Sequence, residues 1–387
     1  MAVNNNFYAT LNQLMGSLNS GFAVIDRDTF VDSGKVLSAM SYTDLVNGFL
    51  SPLMNKVQKT LADVPSYKGA LIDMYFGRLD YGVLEMLLMD NFYDMEASTF
   101  DGASTLVNGQ VYTDQFQVNL PDVLAKYYTE SNSYEFTITI RDTDLRGAFT
   151  SPEKMDRFIA GIFNQVTNSL EFAKETARFG VLAKALNTAY SAAAETADET
   201  TVAQHYGLVT IYNTLYGTSL TKANALQDPV FVRFAVATIR DIAHLMQKPI
   251  KGFNNQSYQT FTEPSYRRIK INSIFDKAIR MSMISAFNKE DAALGMDHEI
   301  LPYWEVANDS GVTQERLCIE TASSGTSAPS EPIIAALYDK RAIGEMVQLE
   351  DVTSTLNAKR RYTNYHWQLN KMYWFNDYAN FVIFTLE

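Results

Sequence analysis

Residues 151–190 decide the fold: SPEKMDRFIAGIFNQVTNSLEFAKETARFGVLAKALNTAY. Ser151 followed by Pro152 is a helix start, because serine can cap a free N–H group and proline needs no donor in the first turn. Apolar side chains then recur at intervals of three and four, which places a stripe along one helix face. They are Met155, Phe158, Ile159, Ile162, Phe163, Val166, Leu170, Ala173 and Ala177. One helix over the whole stretch would be about 55–60 Å long, at about 1.5 Å per residue.

Gly180 is the weak point of this predicted helix. A glycine costs about 1 kcal/mol relative to alanine in a helix interior. Val181, Leu182, Ala185 and Leu186 nevertheless continue the apolar stripe. Two interpretations therefore stay open: an ordinary buried helix that breaks near Gly180, or a spine laid across an extended, flat subunit.

Composition describes a globular, acidic chain. With 387 residues and 47% hydrophobic content, it can bury one large core or two to three smaller ones. The net charge of -12 argues against broad nucleic-acid binding through phosphate neutralisation. The charge is uneven, because residues 1–150 hold 18 acids and 9 bases whereas residues 229–300 hold 7 acids and 10 bases. This asymmetry fits either contacts between copies of the chain or two solvent-exposed faces of different charge.

Cysteine usage and hydropathy favour a reducing compartment and no membrane insertion. Cys318 is the single cysteine, so no intrachain disulfide can form. No lysine or arginine precedes Arg27, so the N-terminus lacks the positively charged region of a secretory signal peptide and is not predicted to be one. Apolar runs such as residues 230–239 fall far below the roughly 18 residues that a transmembrane span requires.

The chain before the long helix is predicted as an arm followed by helices and strands. Residues 1–50 are polar and would be ordered only by lying on another surface, such as a neighbouring subunit; an unpaired terminus is the alternative. Helices are predicted at 51–61 and 68–76, and a strand at 110–118.

Two β-rich runs, 123–128 and 134–141, are predicted to form a hairpin because a short polar connection separates them. In the second run the apolar side chains Tyr134, Phe136, Ile138 and Ile140 alternate with polar ones. A two-stranded ribbon is marginal alone, so this one needs a surface to cover, in its own subunit or the next.

Helices and strands alternate after residue 205, which predicts an α/β unit over about 205–340. Asp228 and Pro229 start a helix that Pro249 stops. Further predicted elements are a strand at 267–271, a helix at 273–294, strands at 300–306 and 332–338, and a Ser/Gly-rich loop at 323–330. The end returns to strands: a short one at 346–349, a long aromatic one at 362–375, and a buried one at 381–384 that pairs back on the long one.

No catalytic signature is present in the sequence. There is no phosphate-binding glycine loop, no nucleophile elbow and no His-Glu-x-x-His. His205, His244, His298 and His366 are too scattered to indicate a metal site, and Cys318 has no nucleophile signature. Asp297-His298-Glu299 is an isolated acidic triplet in a predicted loop. Asp142 and Asp144 are expected to contact backbone N–H groups or an arginine rather than to do acid–base work.

The order of elements resembles the major capsid proteins of tailed double-stranded DNA bacteriophages, the Hong Kong 97-like fold. Two phrases, 134–140 with 144–149 and 337–340 with 362–365, are similar to capsid proteins of small, short-tailed phages of Gram-positive bacteria. The resemblance implies an α+β fold divided into an arm (1–50), peripheral-domain helices and connection (51–99), an extended β-hairpin loop (100–146), a peripheral domain (147–204) with the spine helix 151–190, an axial domain (205–340) and peripheral-domain return strands (341–387).

The same resemblance implies a function without catalysis or cofactors. Copies of the chain would assemble as pentamers and hexamers into an icosahedral shell around phage DNA, which the shell would not bind sequence-specifically. The partners implied are a separate scaffolding protein, a portal, and minor or decoration proteins; the location is the virion, after assembly in the host cytoplasm. An encapsulin-type shell and an acidic α/β enzyme with a carboxylate site remain alternatives. Predicted subunit-interface residues are Tyr128, Glu130, Tyr134, Phe136, Arg141 and Arg146.

Overall fold

The structure is a computed structural model that describes residues 69–79, 82–89, 123–129, 131–144, 152–192, 194–195, 201–283, 297–301 and 333–387. The described elements, in chain order, are β1 (Tyr75–Arg78), β2 (Leu84–Met89), β3 (Val123–Tyr128), β4 (Asn132–Arg141), α1 (Pro152–Tyr190), β5 (His205–Gly207), α2 (Leu208–Tyr216), α3 (Lys222–Ala225), α4 (Pro229–Leu245), β6 (Arg267–Asn272), α5 (Ser273–Met283), β7 (Glu299–Leu301), β8 (Ile333–Asp339), β9 (Ile343–Asn357), β10 (Tyr362–Phe375) and β11 (Phe381–Thr385).

Helix α1 confirms the prediction of one long helix, because it runs through Gly180 without a break over 39 residues. Its second half is buried, with Val181 and Leu182 fully inside. These residues share a core with Tyr373 of β10 and Ile383 of β11, so the helix packs on both of the larger sheets. Each such apolar side chain contributes about 1.5–3 kcal/mol on burial, which outweighs the cost of the glycine.

The first larger sheet has the strand order β1-β9-β10-β4. The long aromatic strand predicted at 362–375 is confirmed as β10. Strand β9 is a correction: only 346–349 was predicted, but it extends over Ile343–Asn357. Its second half is polar and solvent-facing, so hydrophobic periodicity did not reveal it; pairing with β10 along nearly its whole length keeps it extended.

The predicted hairpin of 123–128 with 134–141 is wrong, although both strands exist. Strand β3 pairs antiparallel with β2, and β4 pairs antiparallel with β10 from Tyr362↔Arg141 to Lys371↔Asn132. Proximity in sequence suggested the hairpin. The alternating apolar face of β4 instead matches the aromatic face of β10, so that Phe136 lies opposite Trp367 and Ile138 opposite Tyr365.

The second larger sheet has the order β5-β11-β8-β6-β7 and confirms the predicted alternation of helices and strands. Strand β11 is a further correction, because it does not pair with β10. It lies between β8, antiparallel, and β5, parallel, where all five of its residues are buried. Strand β10 has no edge for it, because β9 and β4 already pair with β10 on its two sides.

Helices α4 and α5 contact each other beside this sheet. The predicted start of α4 is confirmed: the Asp228 carboxylate accepts a hydrogen bond from the Val230 N–H at 2.8 Å, and Pro229 is the first helical residue. Helix α2 was not predicted, because its apolar face is short and follows directly on β5. The prediction of a loop at 297–299 is wrong at Glu299, where β7 begins.

The helix predicted at 68–76 is wrong over its described part. One turn of 3-10 helix, Ile72–Met74, leads directly into strand β1. Leu71 precedes this turn with a φ of 59°, a left-handed conformation that breaks any continuous helix. The arm 1–50, the helix 51–61, the strand 110–118, residues 284–294 of the predicted helix, residues 302–306 of the predicted strand, the loop 323–330 and Cys318 lie outside the described residues.

Candidate functional site: the two faces of the long sheet

The structure separates the residues predicted at a subunit interface. Tyr134, Phe136 and Arg141 lie together on β4, whereas Tyr128 ends the neighbouring ribbon β2–β3. Glu130 and Arg146 lie outside the described residues. Tyr134 and Phe136 are half-buried, and Arg141 is exposed at the end of the strand.

Tyr128 is fully buried inside its own subunit. Its ring centroid lies 6.1 Å from that of Trp374, and Lys126 Nζ lies 5.4 Å above the tyrosine ring. Together with Phe76 of β1, at 5.0 Å from Trp374, these rings hold ribbon β2–β3 against the sheet. Tyr128 therefore anchors the ribbon, a role that its place in an aromatic strand did not reveal.

Strand alternation gives the long sheet two different faces. One face carries the half-buried Tyr134, Phe136 and Ile138 beside the buried Tyr365 and Trp367. The other is polar, with Glu135, Thr137 and Thr139 on β4 and their register partners Gln368, His366 and Asn364 on β10. On this face His366 Nδ1 lies 2.7 Å from Glu135 Oε1 and 3.0 Å from Thr137 Oγ1.

A pocket of about 370 Å³ opens at the Glu135 end of the sheet. It is lined by Ser133, Tyr134, Glu135, Leu349, Gln368, Leu369 and Asn370. A β-bulge explains its position, because Asn370 pairs with Leu349 but Lys371 pairs with Val347, which leaves one extra residue on β9. Bulges bend the strand that contains them and redirect its side chains.

Three buried charges below this bulge join helix α1 to the sheet. Arg178 donates from Nη2 and Nε to Glu345 Oε1, at 2.6 and 3.0 Å, and Lys371 Nζ donates to Glu345 Oε2 at 2.9 Å. All three side chains are at most 6% exposed. Burial lowers the pKa of Lys371 despite the attraction of Glu345. For Arg178, burial opposes the charge, but the bonds to Glu345 outweigh it and raise the pKa.

A second ionic cluster joins the turn before β1 to the other sheet. Lys270, buried on β6, donates to both carboxylate oxygens of Asp73 at 2.8 Å and to Glu299. Glu299 also accepts from the Leu71 N–H at 3.0 Å, and Arg268 lies 3.5 Å from Asp73. Sequence reasoning missed both clusters. The available signals were Lys270 between two isoleucines and Lys371 before the apolar run Met372–Phe375, since a buried lysine requires an acidic partner.

His205 is buried near the end of the chain. Its Nε2 lies 2.9 Å from Thr385 Oγ1 and 3.9 Å from Glu387 Oε2, and Tyr190 packs on its ring at a centroid distance of 4.9 Å. Burial lowers the pKa of His205, and the attraction of Glu387 only partly opposes this. The histidine therefore stays neutral in the folded protein to lower pH than in the unfolded chain.

We expect His205 to make stability depend on pH. Below the ordinary histidine pKa of about 6.5, the unfolded chain binds a proton that the folded chain rejects, so stability falls as pH drops. The thermal unfolding midpoint, measured from pH 7.5 to 5.0, should decline less steeply in His205→Gln than in the wild type. His244→Gln, at an exposed histidine, is the control and should retain the wild-type slope. Equal slopes for wild type and His205→Gln would contradict the assignment.

Nothing in the described part of the chain suggests catalysis. No group of three or more His, Cys, Asp or Glu side chains there could hold a metal ion. None of the helices over these ranges is long and apolar enough to cross a bilayer. Asp142, one of the carboxylates considered in the sequence, lies 3.5 Å from Arg361 in an ion pair, as expected for a structural acid.

Comparison with known proteins identifies the class that this architecture defines. The fold matches a chain from the capsid structure of Staphylococcus phage Andhra, with a TM-score of 0.50 and 9% identity over 84% of this chain and 86% of that one. It also matches a chain from the structure of the head fiber and inner core protein gp22 of native bacteriophage P68, with a TM-score of 0.52 and 10% identity over 85% and 87%. The α+β, Hong Kong 97-like capsid fold predicted from the sequence is confirmed.

The family model of the Phi29-like phage major capsid protein matches residues 9–385. The chain belongs to this family and is a phage major capsid protein, a structural component of the virion. No curated protein sequence matches it. The family predicted in the sequence analysis is therefore confirmed.

Proposed function

We propose that the chain assembles as pentamers and hexamers into an icosahedral shell that encloses a double-stranded DNA genome. A separate scaffolding protein would guide assembly in the host bacterial cytoplasm, and a portal and minor or decoration proteins would complete the particle. The observation that carries the proposal is the family match over residues 9–385 together with the capsid fold. The chain would act without catalysis or a cofactor.

The shape and charge of the subunit support a DNA container. A long sheet with an exposed polar face supplies more area for contacts than a compact body of the same size. A subunit that touches several neighbours requires such area. The net charge of -12 disfavours adhesion to packaged DNA. We retain as part of the proposal the division into arm (1–50), peripheral segments (51–99, 147–204 and 341–387), extended loop (100–146) and axial domain (205–340).

Particle formation tests the proposal. The purified protein, alone or with a scaffolding protein, should yield capsomers or closed shells in electron microscopy and sedimentation. Shells formed during phage growth should protect DNA from nuclease. A monomer under all conditions would contradict the shell, and packaged protein in place of DNA would favour the encapsulin-type alternative.

Within this proposal, strand β4 supplies interface residues through Arg141. The side chain is exposed at the end of the sheet, where reversing its charge removes no internal contact shown by the structure. Arg141→Glu should therefore reduce the yield of particles several-fold while leaving the unfolding midpoint of the subunit unchanged. Lys251→Glu, an exposed base outside the long sheet, is the matched control. Equal loss of folding and assembly would refute the placement of Arg141.

A further inference from the structure

The turn between β9 and β10 forms a basic tip, defined here as Lys359, Arg360 and Arg361. The structure holds its backbone firmly. The Arg360 N–H donates to Asn357 Oδ1 at 3.0 Å, Arg361 adopts a left-handed φ of 53°, and its carbonyl accepts from the Asp142 N–H at 3.1 Å. Of the three tip residues, Arg361 has an ion-pair partner, Asp142. Lys359 and Arg360 are exposed and have no acidic partner among the described residues.

The pocket at the opposite end of the sheet has complementary chemistry. Glu135 is its only charged lining residue, and this side chain is 52% exposed. Its Oε1 lies within bonding distance of His366 and Thr137, whereas Oε2 has no donor in the described ranges. The side-chain oxygen of Asn370 also lacks a donor among the described residues, but it is buried and out of reach of a neighbouring copy. The accessible acceptor of the pocket is therefore Glu135 Oε2.

The remaining walls favour arginine over other cations. Leu349, which is 45% exposed, supplies the accessible apolar wall. An arginine can lay its methylene stem on such apolar surface while the planar guanidinium pairs with a carboxylate. An ammonium group is a compact, strongly hydrated charge that uses this geometry less well.

The tip cannot fill the pocket of its own subunit. Residues 361 and 370 lie on one strand, nine residues apart, so at about 3.3 Å per residue they are separated by about 30 Å of rigid sheet. A contact between the tip of one copy and the pocket of the next can repeat from subunit to subunit, and such head-to-tail contacts form a ring when the rotation between copies closes. Rings of this kind are what the proposed pentamers and hexamers require.

We propose that the pocket between β4, β9 and β10 is a binding site for Arg360 of a neighbouring copy. The guanidinium pairs with Glu135 Oε2, and its stem covers Leu349. This inference rests on the proposed shell function and specifies one of its contacts. It also explains why an acidic chain places exposed bases at the turn of the β9–β10 hairpin.

A charge exchange tests the contact. Arg360→Glu and Glu135→Arg should each raise the subunit concentration needed for assembly by about tenfold or more, as expected for loss of one interfacial charge pair. The double variant Arg360→Glu/Glu135→Arg should regain most of the wild-type assembly, because the pair is restored with reversed polarity. Lys251→Glu and Asp241→Lys, exposed charges outside the long sheet, should have little effect.

Cross-linking gives a second readout that does not depend on assembly strength. In particles of Arg360→Lys, a carbodiimide should couple residue 360 to Glu135 of another copy, and mixed-isotope particles should show that the two linked peptides come from different chains. Glu135→Gln should abolish this product. Particles that lack the product and show no rescue by the exchange would overturn the contact while leaving the shell function intact. Failure of wild-type protein to form particles would instead contradict the shell itself.

Other occupants predict different outcomes. If the tip contacted packaged DNA, particles of Arg360→Glu would assemble normally but lose their DNA at moderate salt. In that case, adding Arg360→Glu to the Glu135→Arg variant would not restore assembly. If another segment of the chain filled the pocket, only the Glu135 variant would assemble poorly. Either pattern overturns the proposed pairing.

Discussion

Replacing Glu345 by glutamine is expected to lower the free energy of unfolding of the subunit by about 3–5 kcal/mol. The glutamine has nearly the same shape, so the loss reflects charge. It leaves Arg178 and Lys371, which are 6% and 1% exposed, as two buried cations without the acid that both contact. Equilibrium urea unfolding of unassembled subunits measures the change. Glu350→Gln, at an exposed position on the same strand, is the control and should stay within about 0.5 kcal/mol of wild type.

The pH dependence of this variant provides an internal check. Burial lowers the pKa of Lys371, so the unfolded chain binds the proton over a window in which the folded chain has released it. Stability therefore rises with pH as the window up to the ordinary lysine pKa of about 10.4 is crossed. Without Glu345 the charged lysine is less favourable, and the deficit of Glu345→Gln should shrink between pH 7 and 10. A constant deficit would show that Lys371 is not the group responsible.

Truncating Trp374 to alanine is expected to cost about 3–5 kcal/mol, the range for large buried aromatic residues. Trp374 is 1% exposed and packs on Phe76 and Tyr128. Gly344 lies so close that a Cβ at that position would overlap the indole ring, so the cavity left by truncation is closely walled on that side as well. The ribbon β2–β3 should also become sensitive to protease, because Tyr128 anchors it to this ring.

Urea unfolding and limited proteolysis measure the two effects of Trp374→Ala separately. Tyr127→Ala is the matched control, since Tyr127 adjoins Tyr128 on β3 but is 53% exposed and bonds only to Glu85 among the described contacts. It should change stability by less than about 1 kcal/mol. Cleavage in the ribbon at the wild-type rate, despite global destabilisation, would show that the ring does not hold the ribbon in place.

Sequence patterns predicted the helices and strands whose formation depends on interactions between residues close together in the chain. The stripe after Pro152 predicted α1, Asp228 with Pro229 predicted α4, and the aromatic alternation after Tyr362 predicted β10. Strand partners were predicted less well, because alternation fixes which side chains share a face but not which strand lies alongside. The hairpin of β3 with β4 and the pairing of β11 with β10 failed for this reason.

The candidate site was only partly predictable. The sequence directed attention to β4, which provides Glu135 to the pocket, and to the alternation that sets its two faces apart. The pocket itself depends on the bulge beside Asn370, and a bulge follows from the register of two strands rather than from either strand alone. Tyr128 was predicted at a subunit interface, but the burial of its ring by Trp374 depends on a residue almost 250 positions later.

The central place of β11 in its sheet has a consequence for synthesis. This strand lies between β5, which begins at His205, and β8, so the sheet cannot be completed before residue 385 has been translated. At about 5–20 residues per second, the interval between the two parallel strands is about 10–35 s. Until β11 has been synthesised, the edges of β5 and β8 that it joins have no partner strand between them. The second larger sheet therefore closes late in synthesis, after almost all of the residues that it contains have been made.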